Sequence, residues 1–118
     1  MNHYNWSAIP VENLSPLLTR QVIHTQHMTI ARLRLKKGAF VPMHQHPNEQ
    51  VSMMEEGSLR FEVAGKEVVV KAGEALCIPP GAPHWAEALE DSVATDLFTP
   101  PRQDWIDGDD AYLRTPAK

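Results

Sequence analysis

The chain of 118 residues holds a single cysteine, Cys77, which excludes an internal disulfide framework and any zinc site built on several thiolates. Basic runs are missing as well: eleven Lys and Arg are outnumbered by fifteen Asp and Glu, for a formal net charge of -4. Neutralising a phosphate backbone needs clustered cations, so nucleic acid is not expected as a partner. No stretch approaches the ~18 consecutive apolar residues of a membrane span. The opening Met1-Asn2-His3-Tyr4-Asn5-Trp6 also lacks the basic and apolar regions of a secretory signal. From these absences we expect a cytoplasmic protein with no membrane partner. Ten prolines and six glycines, by contrast, are many for this length, and they suit short elements separated by turns within one domain, 1–118.

The apolar period is that of strands. In Met28–Leu35, Leu33 and Leu35 lie on one face and Arg32 and Arg34 on the other. Val51–Met54 is a short strand ended by Glu55-Glu56-Gly57. Leu59, Phe61 and Val63 alternate with polar residues before a turn at Ala64-Gly65-Lys66. Val68–Val70, Ala75–Ile78, His84–Leu89 and Val93–Phe98 complete the series. Turn signals recur every ~8–12 residues, the spacing of an all-β sandwich or barrel. Helix is expected to be scarce: Pro10 and Pro16 limit any helix in Val11–Leu18 to one turn. The tail from Pro100 is acidic and turn-rich, with Trp105, Ile106, Tyr112 and Leu113 available to pack back on the body.

Three of six histidines carry chemistry in their spacing. Positions two apart in a strand point the same way, so His44 and His46 project together, and Gln50 joins them if the strand keeps its phase. Glu49 then faces away, unless a bulge shifts the phase by one and makes it the ligand instead. His84, from a distant strand, closes the set across the barrel. Three imidazoles and an amide oxygen around a cavity make a metal site with open positions. An amide brings no charge, so the cation stays a stronger Lewis acid and a poorer redox centre than one held by a carboxylate. Asp96 and Phe98 share parity near the end of the last strand, and Pro100-Pro101 aim Arg102 back towards the cavity mouth.

Two glycine-bounded segments resemble the two motifs of the cupin superfamily: Gly38 to Gly57, with His44-Gln45-His46, and Gly73 to His84, with Pro79-Pro80-Gly81. The second motif, taken on to Ala88, runs over 73–88. The resemblance implies a small single-domain, RmlC-like β-barrel or jelly roll with a tail at 100–118. Two positions depart from the usual pattern: Gln50 stands where a glutamate ligand is common, and Ala88 where Asn is frequent.

A narrower resemblance rests on His44-Gln45-His46-Pro47-Asn48-Glu49-Gln50 together with Pro100-Pro101-Arg102-Gln103-Asp104-Trp105 and the residues through Arg114. These are similar to KdgF-type pectin-degradation cupins. That family implies a homodimer and one divalent transition metal (Ni, Zn, Fe, Mn or Co) on His44, His46, Gln50 and His84. It implies catalytic roles for Asp96, Phe98 and Arg102. The activity implied is metal-dependent, non-redox linearisation of 4,5-unsaturated uronates, small acidic sugars released by pectin or alginate lyases, into 4-deoxy-5-keto-uronates. Two rivals stand beside it: an iron-using cupin dioxygenase, which needs oxygen, and a non-catalytic small-molecule-binding cupin, which has no need of a base at Asp96.

The remaining residues are read plainly. His3, His24 and His27 are expected at the surface, Cys77 as a buried packing thiol, and Trp85 on the face opposite His84. Met43, Met53 and Met54 line the cavity or fill the barrel. Arg60 and Glu62 share a strand face, where they either pair or lie in solvent. Asp107-Gly108-Asp109-Asp110 lacks the ligand spacing of a calcium loop and is expected as a solvated turn.

Overall fold

The computed structural model describes residues 1–114. After a single 3-10 turn at Trp6–Ala8, the chain forms β1 (Glu12–Ser15), β2 (Leu18–His24), β3 (Thr29–Leu35), β4 (Phe40–His44) and β5 (Glu49–Glu56). Next come β6 (Ser58–Val63), β7 (Lys66–Lys71), β8 (Ala75–Ile78), β9 (His84–Ala88) and β10 (Ser92–Thr99), then helical segments α1 (Gln103–Ile106) and α2 (Ala111–Arg114). The strands form a six-stranded sheet in the order β1-β2-β3-β10-β5-β8 and a four-stranded sheet in the order β4-β9-β6-β7. Every pairing is antiparallel. Among the described residues no helix is long and apolar enough to cross a membrane.

Leu35, Met54, Leu59, Phe61, Val70, Ile78 and Phe98 meet between the sheets, each contributing roughly 1.5–3 kcal/mol when its side chain leaves water. The β6–β7 hairpin turns on Ala64 and Gly65, both at positive φ, the geometry whose twist matches two paired strands. Gly57 is required by space as well as by its φ of 79°: an added Cβ would meet the backbone of Asp91 and Ser92.

Two expectations, for Asp110 and Cys77, need correction. Val11–Leu18 is not helical: it enters β1 and β2, two strands that the apolar period did not mark. Their hidden cause is Arg20, which takes a core-facing position (3% exposed) because Glu12 and Asp110 neutralise it. Asp110 is accordingly buried rather than part of a solvated turn, held by Arg20 at 2.7 Å and Arg114 at 3.1 Å. Cys77 is exposed, because β8 is an edge strand in which Ala75 and Cys77 face out while Ile78 faces in. Arg60, on the strand face it shares with Glu62, approaches Glu67 of β7 at 3.8 Å. Of the three methionines, Met54 is core, Met53 half-buried and Met43 exposed. Trp85 stacks on Phe40, with ring centroids 5.6 Å apart.

Candidate metal centre and its cavity

The two sheets meet the site from opposite sides. His44, the last residue of β4, is the register partner of His84, the first residue of β9, in the four-stranded sheet. Gln50 of β5 pairs with Phe98 of β10 in the six-stranded sheet, and Ser52 pairs with Asp96 two residues along. His46 lies in the turn between the sheets, not in a strand. The shared-strand parity expected for His44, His46 and Gln50 therefore does not exist; they converge because the chain crosses from one sheet to the other between His44 and Glu49. The second motif locks onto that crossing, since the Gly81 amide donates to the His46 carbonyl at 2.8 Å.

Each ring is oriented by the backbone. Nδ1 of His44 donates to the Pro42 carbonyl (2.8 Å), Nδ1 of His46 to Asn48 (3.1 Å) and Nδ1 of His84 to Ala82 (2.9 Å). A proton fixed on Nδ1 leaves the lone pair on Nε2. The histidine ligand atoms of the three residues lie within 4.8 Å of one another. Burial, first of all, holds all three imidazoles below their ordinary pKa, His44 at about 3 and His46 at about 4. At neutral pH they are uncharged bases.

Gln50 joins this group and Glu49 points to solvent. Gln50 Nε2 donates to Ser52 Oγ at 2.9 Å, which turns Oε1 to within 3.0 Å of His46 Nε2. Two lone-pair atoms thus face each other, and the buried Nε2 of His84 has no partner among the described residues. Such groups are costly to bury unless something positive lies between them. Three histidines in this arrangement can bind a divalent metal ion, and the donor set of imidazole and amide suits a transition metal.

Beside them stands Asp96. Its carboxyl is buried (6% exposed), with one oxygen bonded by Ser52 and Oδ1 without a partner. Loss of water raises its pKa to about 6, against the opposing pull of Ser52 and Arg102. Arg102 is 1% exposed. Its guanidinium is wedged between the rings of Phe98 (4.7 Å) and Trp105 (4.2 Å) and forks onto Asp104 at 3.0 and 2.8 Å. The loop carrying it is tied down by Asn48, which donates to the Pro100 and Pro101 carbonyls, and by Thr29, which accepts from the Arg102 amide at 2.8 Å. His44, Gln50, His84, Asp96, Phe98 and Arg102 all line one cavity; His46 stands at its edge, ring against Phe98.

Sequence reasoning missed Ser52, Asn48 and Asp104. Only Ser52 left a signal, its even spacing from Gln50. His3, His24 and His27 lie at the surface as expected.

A double-sheet β-barrel with histidines from two strands and a turn converging inside it defines a class of small-molecule and metal-binding barrels. Residues 31–99, more than half of the chain, match the family described as Cupin domain, and the chain belongs to the cupin family. It is 29% identical over 85 residues to an oxalate-binding protein of Thermotoga maritima, spanning 71% of this chain and 68% of that one. Among solved structures it is similar to KdgF from a Halomonas species (27% identity, TM-score 0.82, 89% of this chain and 98% of that one). An RmlC-like cupin from Shewanella frigidimarina matches at the same identity and TM-score, over 89% and 96% of the two chains.

Proposed function

We propose that the protein opens the ring of 4,5-unsaturated uronates, yielding 4-deoxy-5-keto-uronates. The observation that carries this reading is the buried Asp96 carboxyl, its free oxygen in the same cavity as the imidazole lone pairs and a guanidinium. Likeness to KdgF supports it. A divalent metal held by His44, His46, His84 and Gln50 would supply Lewis acidity for an oxygen that gains negative charge. Asp96 takes the proton of the anomeric hydroxyl while the bond from the anomeric carbon to the ring oxygen breaks, leaving an aldehyde and an enolate. The net change is an isomerisation, so the same proton returns to carbon 4 as the enolate becomes a ketone. A carboxyl with a pKa of about 6 can both accept and release it near neutral pH. Arg102 receives the substrate carboxylate, and Phe98 walls the sugar ring.

The amide donor in place of a carboxylate favours this non-redox reading over an iron dioxygenase. A specific observation favours one alternative, the binding of a small dicarboxylate without turnover: the named oxalate-binding relative, together with a narrow cavity. The test is loss of ultraviolet absorbance when protein is added to an unsaturated uronate under nitrogen. We expect loss that stops with chelator and returns with metal; no loss from metal-loaded protein would overturn the proposal in favour of a binding module.

A further inference from the structure

The cavity is smaller than a sugar acid. It gives the centre of a water molecule about 50 Å³, room for a handful of waters at ~10–15 Å³ each. One wall has to move, and the walls differ in how they are held. Strands β3, β5, β9 and β10 are fixed by ladder bonds to both neighbours. α2 (Ala111–Arg114) belongs to neither sheet: Leu113 sits in the core, Arg114 bonds Asp110, and Tyr112 lines the cavity.

Tyr112 forms part of the cavity wall. Its ring lies 4.6 Å from that of His44, and its hydroxyl oxygen accepts from Arg102 Nη2 at 2.8 Å and from Trp105 Nε1 at 3.3 Å. Arg102 therefore has two acceptors of unequal strength. Asp104 is charged, grips two nitrogens and sits two residues away. Tyr112 is neutral and grips one. A carboxylate meets a guanidinium with opposite charge and two oxygens, where a phenol offers one oxygen, so an incoming carboxylate outcompetes Tyr112 and leaves Asp104 in place.

We propose that the Tyr112 hydroxyl is an internal stand-in for the ligand's carboxylate on Arg102, and that ligand binding displaces it and lifts α2 from the cavity. Affinity for an acidic ligand is then set partly by the cost of releasing this latch, as expected when the competent state must first be populated. The inference rests on the reading of Arg102 as carboxylate receptor.

The test uses the full chain loaded with Zn²⁺ and D-galacturonate, a saturated uronate, as the probe. Trp6→Phe/Trp85→Phe leaves Trp105 as the reporter of three tryptophans; the Leu113 amide, which donates to the Asp110 carbonyl at 3.1 Å, reports α2 by hydrogen exchange. Saturating galacturonate should change Trp105 emission and speed Leu113 exchange at least tenfold. Tyr112→Phe, which keeps the ring, should exchange faster without ligand and bind galacturonate about tenfold more tightly by calorimetry. Calorimetric binding with unchanged emission and exchange, and equal affinity in Tyr112→Phe, would overturn the latch alone. No binding by either protein would overturn the carboxylate-receptor reading and the latch with it.

Discussion

Asp96→Asn offers the sharpest separation of stability from function. The carboxyl titrates at about 6 in the folded chain against 3.8 when free, a rise of roughly two units that corresponds to about 3 kcal/mol at 1.36 kcal/mol per unit. The folded state binds the extra proton, so stability falls as pH climbs from about 4 through about 6, and the whole loss is present above that. Asparagine keeps the shape and the Ser52 contact but carries no charge. Its amide N–H takes the place of Oδ1, which has no partner, and this costs about 1 kcal/mol at every pH. The variant should therefore be about 2 kcal/mol more stable than wild type at pH 8 and about 1 kcal/mol less stable at pH 4. The assay is urea unfolding of both proteins, stripped of metal, across that range. The three imidazoles, whose lowered pKa values weaken the fold on acidification, are common to both proteins and cancel in the difference. A difference that stays flat within ~0.5 kcal/mol would refute the claim that Asp96 is a desolvated acid; the same variant should have lost turnover of unsaturated uronate.

Other outcomes follow from the same geometry. Divalent metal in hundredfold excess over its Kd should stabilise the wild type by about 2.7 kcal/mol, and His84→Ala should abolish most of that gain in a thermal melt with and without chelator. Arg102→Lys should raise KM for an acidic sugar far more than it lowers kcat, because a point charge cannot replace a fork held between two rings; an unchanged KM speaks against the carboxylate role. Gly57→Ala should cost several kcal/mol, since its Cβ would come within 2.8 Å of Ser92 Cα at a φ of 79°, whereas Gly65→Ala meets no atom and costs only the strain of positive φ, about 1 kcal/mol. Denaturant titration of the two compares them directly.

Much of the barrel was legible because its strands obey period two where one face is buried: Leu59, Phe61 and Val63 alternate with Ser58, Arg60 and Glu62 along β6. β2 was not, because Arg20 occupies an inward position that the pattern reserves for an apolar side chain, and its neutralising partners, Glu12 and Asp110, come from opposite ends of the chain. The residues His44, His46, Gln50 and His84 were legible through motif spacing, but strand parity is not what brings Gln50 in: it reaches the histidines from the other sheet. The surroundings of Arg102 were hidden for a different reason. Nothing local in Pro100-Pro101-Arg102 says that Asp104 will fork onto the guanidinium or that Tyr112 will fold back over it; both contacts exist only once α1 and α2 dock on the barrel. Ser52, which orients Gln50 and bonds Asp96 at once, has meaning only in the register of β5 against β10.

The most direct measurement is anomalous diffraction from crystals grown with Ni²⁺. A single peak among Nε2 of His44, His46 and His84 and Oε1 of Gln50, with the Asp96 carboxyl and the Arg102 guanidinium facing its open side, is the expected result. A peak bound through Glu49, or none among these rings at saturating metal, would contradict it.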